Sequence, residues 1–284
     1  MTNRSHSSES TSNPSSSVEV APWKWKCIEQ SSSSLLLEGN FSSDWYQGRG
    51  VYGGVIAALF MEAMIPLADA RSPRTLTIHF CAPAVLGSAS LSAQVESKRK
   101  SVSHLRAKLI GKGGLIATAS ATFALPRTCQ WSYPAEPVPS LPPQETIAEV
   151  PANFPLMPDY CRYLSYRFCL GDPPYSQSKT PLVGGWFDFR ENYPINFPLI
   201  AALLDAWPPA CFPSLNAPIP AASVDLTYHF LTSDLSRIER PFIYKGCVQS
   251  ASDGYAEERD FLWDAHGVPI ASARQWVALG KAIT

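Results

Sequence analysis

The chain has no long apolar run. Across 284 residues the hydrophobic stretches are broken by Pro, Asp or Glu before they approach the roughly 20 residues that cross a bilayer, so no membrane-spanning helix is expected. The N-terminus also has no apolar core of a secretory signal; residues 1–20 carry eight serines instead and should form a flexible Ser-rich tail. The expected location is the cytoplasm. Charge of either sign is not in excess: 23 Lys and Arg face 24 Asp and Glu, for a net charge of −1, which gives no general electrostatic reason to expect nucleic acid as a partner. The seven cysteines, at 27, 81, 129, 161, 169, 211 and 247, include no C-x-x-C pair and read as reduced core thiols. The five histidines make no i, i+4 pair and no cluster with cysteine, so a metal site is not expected.

What the sequence does contain is itself, twice. Leu76-Thr77-Ile78-His79-Phe80 recurs as Leu226-Thr227-Tyr228-His229-Phe230, an offset of 150 residues. Leu115-Ile116-Ala117-Thr118-Ala119 recurs as Pro269-Ile270-Ala271-Ser272-Ala273, an offset of 154. Two matches in the same order at nearly one offset point to a duplicated supersecondary unit. Residues common to both copies then serve the fold, and polar residues present in one copy are the candidates for chemistry.

Periodicity fills in each copy. The first, 21–125, has an apolar helix over about Gly54 to Leu67, so poor in polar faces that it must be buried on several sides. Strands are expected at Ser34 to Phe41, Arg74 to Ala82, Ala89 to Glu96, His104 to Ile110 and Leu115 to Leu125, the last reached through a Gly111-Lys112-Gly113-Gly114 hairpin turn. Residues 126–159 hold nine prolines and little periodicity, the pattern of an extended linker. In the second copy, 160–284, Asn196 is the expected N-cap and Pro198 the first-turn proline of a shorter helix over Leu199 to Trp207, stopped by Pro208-Pro209. Strands follow at Ser223 to Leu231, Pro241 to Ser250, Tyr255 to Asp264 and Val268 to Leu279. An apolar helix followed by long antiparallel strands is buried most compactly by a sheet that curls round it, an α+β arrangement.

Helix-strand units in tandem, Gly53-Gly54 opening the first helix, an Asp near the end of the second, Ser-Val-Asp-Leu-Thr-Tyr-His-Phe from Ser223 and Ile-Ala-Ser-Ala-Arg-Gln-Trp-Val from Ile270 together resemble the double-hotdog acyl-CoA thioesterases of the bacterial thioesterase II type. The resemblance spans roughly Trp23 to Gly280. It implies a tandem (double) hotdog, two helix-wrapped antiparallel sheets joined side by side, and hydrolysis of an acyl-CoA or acyl-carrier thioester. It implies Asp205, Ser223 and Gln275 as the residues that hold and activate the attacking water, with Ser223 standing where the family usually has Thr. No metal or redox cofactor is implied, and coenzyme A enters only as part of the substrate. Association into a homo-oligomer through the hotdog sheets belongs to the same expectation. The Ser-rich tail and proline insert suggest a fungal, thioesterase-like branch used in secondary metabolism. That leaves two alternatives to hydrolysis: product release, cyclisation or dehydration of a bound intermediate, and a non-catalytic acyl-binding or scaffold role.

The duplication tests those residues independently. Registering the last strands on Ile116 and Ile270 puts Ala121 opposite Gln275, and registering the middle strands on His79 and His229 puts Pro73 opposite Ser223. Met61 or Glu62 falls near the place of Asp205. The chemistry is therefore expected in the second copy. His79 and His229 occur in both copies and read as fold residues, and Asp225 reads as a buried hydrogen-bonding partner. Gly53-Gly54 can present backbone N–H groups to an oxyanion or serve close helix packing. Lys98-Arg99-Lys100 can hold the phosphates of coenzyme A at the mouth of a site or form a solvated turn.

Overall fold

The structure is a computed structural model that describes residues 23–155 and 157–280. The expected Ser-rich tail lies outside the described residues. The first copy comprises β1 (Lys26–Gln30), β2 (Ser34–Phe41), a two-residue ribbon of β3 (Tyr46–Gln47) and β4 (Gly50–Val51), α1 (Gly53–Met64), β5 (Ser72–Phe80), β6 (Gly87–Lys98), β7 (Val102–Gly111) and β8 (Gly114–Ala124). The second comprises β9 (Leu164–Leu170), β10 (Leu182–Phe189), α2 (Phe197–Leu204), β11 (Ala221–Phe230), β12 (Phe242–Ser252), β13 (Tyr255–Trp263) and β14 (Pro269–Leu279).

Twelve of these strands form one antiparallel sheet in the order β1-β2-β6-β7-β8-β5-β11-β14-β13-β12-β10-β9. The order is palindromic: each strand of the first half has its counterpart at the same distance from the centre in the second. The centre is the β5–β11 pair, where Thr77 faces Thr227, and the repeated segments Leu76–Phe80 and Leu226–Phe230 are the two neighbouring strands. Even the irregularities repeat, with a bulge between Pro73 and Thr75 in the β5–β8 pair and one between Ser223 and Asp225 in the β11–β14 pair. Such bulges re-aim side chains, and this one lies beside Ser223. The fold is thus the double hotdog that the family resemblance implied, built from the duplicated unit that the repeat pointed to.

Helices α1 and α2 pack on each other inside the curled sheet, and almost every residue of both is buried. Helix α2 is capped as its sequence requires, with Asn196 Oδ1 accepting from the N–H of Leu199 at 2.8 Å. It stops at Leu204, three residues before the expected end, so that Asp205 becomes its C-cap.

Three further differences from the sequence reading have physical causes. Strand β1 is exposed along its whole length, so it carries no alternation to detect. Strands β9 and β10 contain a glycine pair at Gly184-Gly185 and a register shift there, which blur the pattern. The cysteines are free, but only Cys161 and Cys211 are buried and Cys27, Cys81 and Cys129 are exposed, which corrects the expectation of core thiols.

From 126 to 158 the chain runs mostly without regular structure along the second half of the sheet. It is pinned by Lys245 to Glu136 at 2.8 Å, by Trp263 Nε1 to the Glu136 carbonyl at 3.1 Å and by Trp186 Nε1 to the Pro142 carbonyl at 3.0 Å.

Candidate active site

Helix α1 begins where helix α2 ends. A Cβ on Gly53 would sit 2.5 Å from Asp205 Oδ2, and one on Gly54 would sit 2.2 Å from the Tyr52 ring and 2.6 Å from the Ala202 carbonyl. Only glycine permits this approach. The consequence is electrostatic as well as steric, because the Gly54 N–H donates to the Asp205 carboxyl and the positive end of α1 faces it. Desolvation outweighs that help and pushes the Asp205 pKa up to about 7. Part of that burial is aromatic: the next but one residue, Trp207, stacks on Tyr244 at 5.1 Å between centroids and meets Tyr166 and Phe187 edge-on.

On the neighbouring strands the Ser223 hydroxyl donates to Gln275 Oε1 at 2.8 Å, across the β11–β14 pair. Gln275 Nε2 in turn donates to Asp260 Oδ2 at 3.3 Å, and the Tyr244 hydroxyl lies 2.7 Å from Asp260 Oδ1. Asp205 interacts electrostatically with Asp260, Tyr228, Tyr52 and Tyr244, so it borders the same cluster. Behind Asp260, Glu258 accepts from the N–H groups of Ala210 at 3.0 Å and Cys211 at 3.2 Å, which ties down the loop after α2. Burial pushes Glu258 up to about 7. Asp260 is raised well above the usual carboxylate range by burial first, and then by the charges of Glu258 and Asp205.

The structure thus brings Ser223 and Gln275 into contact, with Asp205 at the edge of their network. It sets Gly53 and Gly54 beside Asp205, where their close packing and their N–H groups act together. Lys98, Arg99 and Lys100 lie away from this cluster, in the turn that is the other reading of their sequence. They form the β6–β7 turn, where Lys98 pairs with Asp69 and the carbonyls of Arg99 and Lys100 accept from Arg71, beyond the far end of α1. His79 and His229 are exposed on the outer face. Asp225 is half-buried and accepts from the Trp276 N–H at 3.0 Å, a bond that secures the bulge.

Sequence reasoning missed Asp260, Tyr244, Glu258 and Tyr228. The signal was present in the repeat. The observed pairings place Asp260 at the position of Ala107, Glu258 at that of Leu105, Tyr244 at that of Leu91, and Tyr228 at that of Ile78. With Gln275 for Ala121 and Ser223 for Pro73, every inward polar position of the cluster is apolar in the first copy.

The comparisons with known proteins bear on the same segments. The family model described as the acyl-CoA thioesterase C-terminal domain matches residues 135–279, and that described as the N-terminal domain matches 41–124. No curated protein sequence matches the chain. Among solved structures, a conserved protein of unknown function with a hot dog fold from Alicyclobacillus acidocaldarius is similar at TM-score 0.83 and 20% identity, over 92% of this chain and 97% of that one. A putative thioesterase II from Thermobifida fusca YX is similar at TM-score 0.76 and 22% identity, over 92% of this chain and 96% of that one. A tesB protein from Mycobacterium avium subs paratuberculosis is similar at TM-score 0.71 and 13% identity, over 90% and 96%. At these identities the neighbours speak for the fold. The two family models speak for descent, and the chain belongs to the acyl-CoA thioesterase family.

Proposed function

We propose that the protein hydrolyses an acyl thioester of coenzyme A or of an acyl carrier, using water activated in the second repeat. The observation that carries this reading is the Ser223–Gln275 contact bordered by Asp205, because the strand positions of Ser223 and Gln275 are apolar in the otherwise similar first repeat. Ser223 donates its proton to Gln275, so its lone pairs are left to accept from a water. A water that donates one proton to Ser223 and the other to Asp205 turns its own lone pair toward the thioester carbon. Asp205, with its pKa near 7, is half-ionised at neutral pH and strong enough to take the second proton.

Attack forms the C–O bond and places negative charge on the former carbonyl oxygen. The positive end of the α1 dipole, at Gly53-Gly54, favours that charge, while the Gly54 N–H itself stays with Asp205. Collapse breaks the C–S bond, and the proton held by Asp205 passes to the departing thiolate. The products are a carboxylic acid and a free thiol. The hydroxyl of Tyr228, buried and without a hydrogen-bond partner among the described residues, supports a polar reactant at this place, because buried hydroxyls are rarely left unpaired.

On this reading the repeats 21–125 and 160–284 are two hotdog units joined by 126–159, and the second carries the chemistry. The partner is an acyl-CoA or acyl-carrier thioester, with coenzyme A, where present, entering and leaving as part of the substrate, and the setting is a cytoplasmic one. Incubation with a panel of acyl-CoA esters, reading free thiol, is the test. Release of thiol in a single exponential per ester supports the reading. Formation of a cyclised or dehydrated acyl product instead assigns the site to biosynthesis, and binding without thiol release assigns the protein to a scaffold role.

A further inference from the structure

Three carboxyls meet in the interior of the second repeat, and the hydrolytic scheme above uses one of them. Asp260 is fully buried, has no cation among its partners in the described residues, and sits where the first repeat has Ala107. A buried carboxyl with so large a desolvation cost and an apolar twin is not explained by the fold.

Its surroundings are specific. Gly246 pairs directly opposite Asp260 on β12, and a Cβ there would lie 2.8 Å from both Asp260 Oδ1 and the Tyr244 hydroxyl, so the glycine leaves the space in which the acid and the phenol meet. The Tyr244 contact is short, 2.7 Å, and the Gln275 contact longer, 3.3 Å. The Tyr244 hydroxyl donates to Asp260 Oδ1, which leaves Oδ2 to accept from Gln275 Nε2. The groups facing Asp260 are Glu258 on its own strand, Asp205 at the end of α2, Tyr244 and Cys247 on β12, and Tyr228 on β11. None is a cation, and two are acids that compete with Asp260 for negative charge.

We propose that Asp260 is a positioning residue: itself held by the Tyr244 hydroxyl, it holds the Gln275 amide with Nε2 turned to β13 and Oε1 turned to Ser223, and so directs the lone pairs of Ser223 toward the water. A free amide could rotate by 180° and offer its N–H₂ to Ser223; the serine proton would then point at the water and spoil its approach. This assignment rests on the hydrolytic reading for its consequence, but not for its geometry.

The test separates the two. Asparagine keeps a carbonyl oxygen to accept from Gln275, whereas leucine offers no acceptor. In ¹⁵N-edited spectra the Gln275 side-chain N–H₂ protons should exchange slowly in the wild type and in Asp260→Asn, and lose protection in Asp260→Leu. Thiol release from acyl-CoA should stay within about tenfold of wild type in Asp260→Asn and fall by about 10- to 100-fold in Asp260→Leu, chiefly in kcat. The acid limb of the pH profile should not move in Asp260→Asn. On a Gln275→Ala background Asp260→Leu should add nothing further, because its effect passes through that amide. Losses that multiply in the double variant, an Asp260→Asn protein as impaired as Asp260→Leu, or unchanged Gln275 protection in a folded Asp260→Leu protein would each overturn the proposal. Should the wild type release no thiol from any ester, the hydrolytic reading fails and the amide spectra alone decide the role of Asp260.

Discussion

The hydroxyl of Thr227 lies 3.2 Å from that of Thr77, exactly 150 positions earlier in the chain, on the axis that relates the two halves of the sheet. Because the repeat meets itself there, every strand residue on one side has a twin on the other. The first repeat therefore serves as an internal control for the second, and the residues that differ inward of the sheet isolate the candidate chemistry from the requirements of the fold.

The control predicts which substitutions matter. Ser223→Ala and Gln275→Ala, each of which restores the kind of side chain the twin position tolerates, should fold normally and lower thiol release by about 10- to 100-fold. Ser223→Thr should be tolerated, since it keeps the hydroxyl that donates to Gln275. Glu62→Gln, at the corresponding end of α1, should cost only the exposed ion pair with Lys24 at 2.8 Å and leave turnover unchanged. Steady-state assays across the four variants decide the point, and a Glu62→Gln protein as impaired as Gln275→Ala would place chemistry in both repeats.

Activity should rise with pH through neutrality. Asp205 acts as a base only when ionised, and burial holds its pKa at about 7. Below that value kcat/KM should fall about tenfold per pH unit, and above it the profile should level off. A profile already flat at pH 5 would mean that the proton acceptor is an ordinary solvated carboxylate or another group.

Stability should move in the opposite direction. Asp205, Glu258 and Asp260 all bind protons more tightly folded than unfolded, as does the Asp188 carboxyl despite its pairing with Arg240. The folded state therefore holds protons that the unfolded chain releases above about pH 4, and stability falls as pH climbs from there toward 7, by about 1.4 kcal/mol per pH unit for each such group at most. The exposed Asp69 and Asp234, whose pKa values are lowered, titrate below this window. Exposed His266, raised by Glu239, adds a loss of the same sign as it deprotonates. Urea unfolding should show a higher midpoint at pH 5.5 than at pH 7.5, and a midpoint that rises with pH would show that the carboxyl cluster is not buried as described.

Gly53 offers a separate test of the helix junction. Alanine there improves helix propensity but sets a Cβ 2.5 Å from Asp205 Oδ2 and 3.1 Å from the Phe80 ring. Gly53→Ala should thus lower turnover by displacing the carboxyl while leaving the midpoint of unfolding within about 1 kcal/mol of wild type. Gly54→Ala, whose Cβ meets the backbone carbonyl of Ala202, should instead destabilise the protein. Equal effects of the two on unfolding, with no loss of turnover in Gly53→Ala, would separate the glycines from the site.

Much of this was legible in the residues. Strands of the repeated core follow their alternation closely, and β2 runs over Ser34–Phe41 as its pattern requires. Ser223 and Gln275 stand out when each repeat is registered on the other, but their direct contact across the β11–β14 bulge is not visible in the sequence. Asp260 and Tyr244 were hidden because a carboxyl and a phenol in an alternating strand look like surface residues unless the twin positions, Ala107 and Leu91, are set beside them. The outer strands β1, β9 and β10 were hidden for a different reason: exposure, glycines and a register shift erase the two-residue period on which strand recognition depends.

The most direct test of the account is thiol release by Asp205→Asn measured beside its unfolding midpoint at pH 8. Asparagine keeps the shape and still accepts from the Gly54 N–H, but it takes up no proton and carries no buried charge. The account predicts turnover lower by about 10²- to 10⁴-fold with stability equal to or above that of the wild type. Undiminished thiol release from a folded Asp205→Asn protein would contradict it.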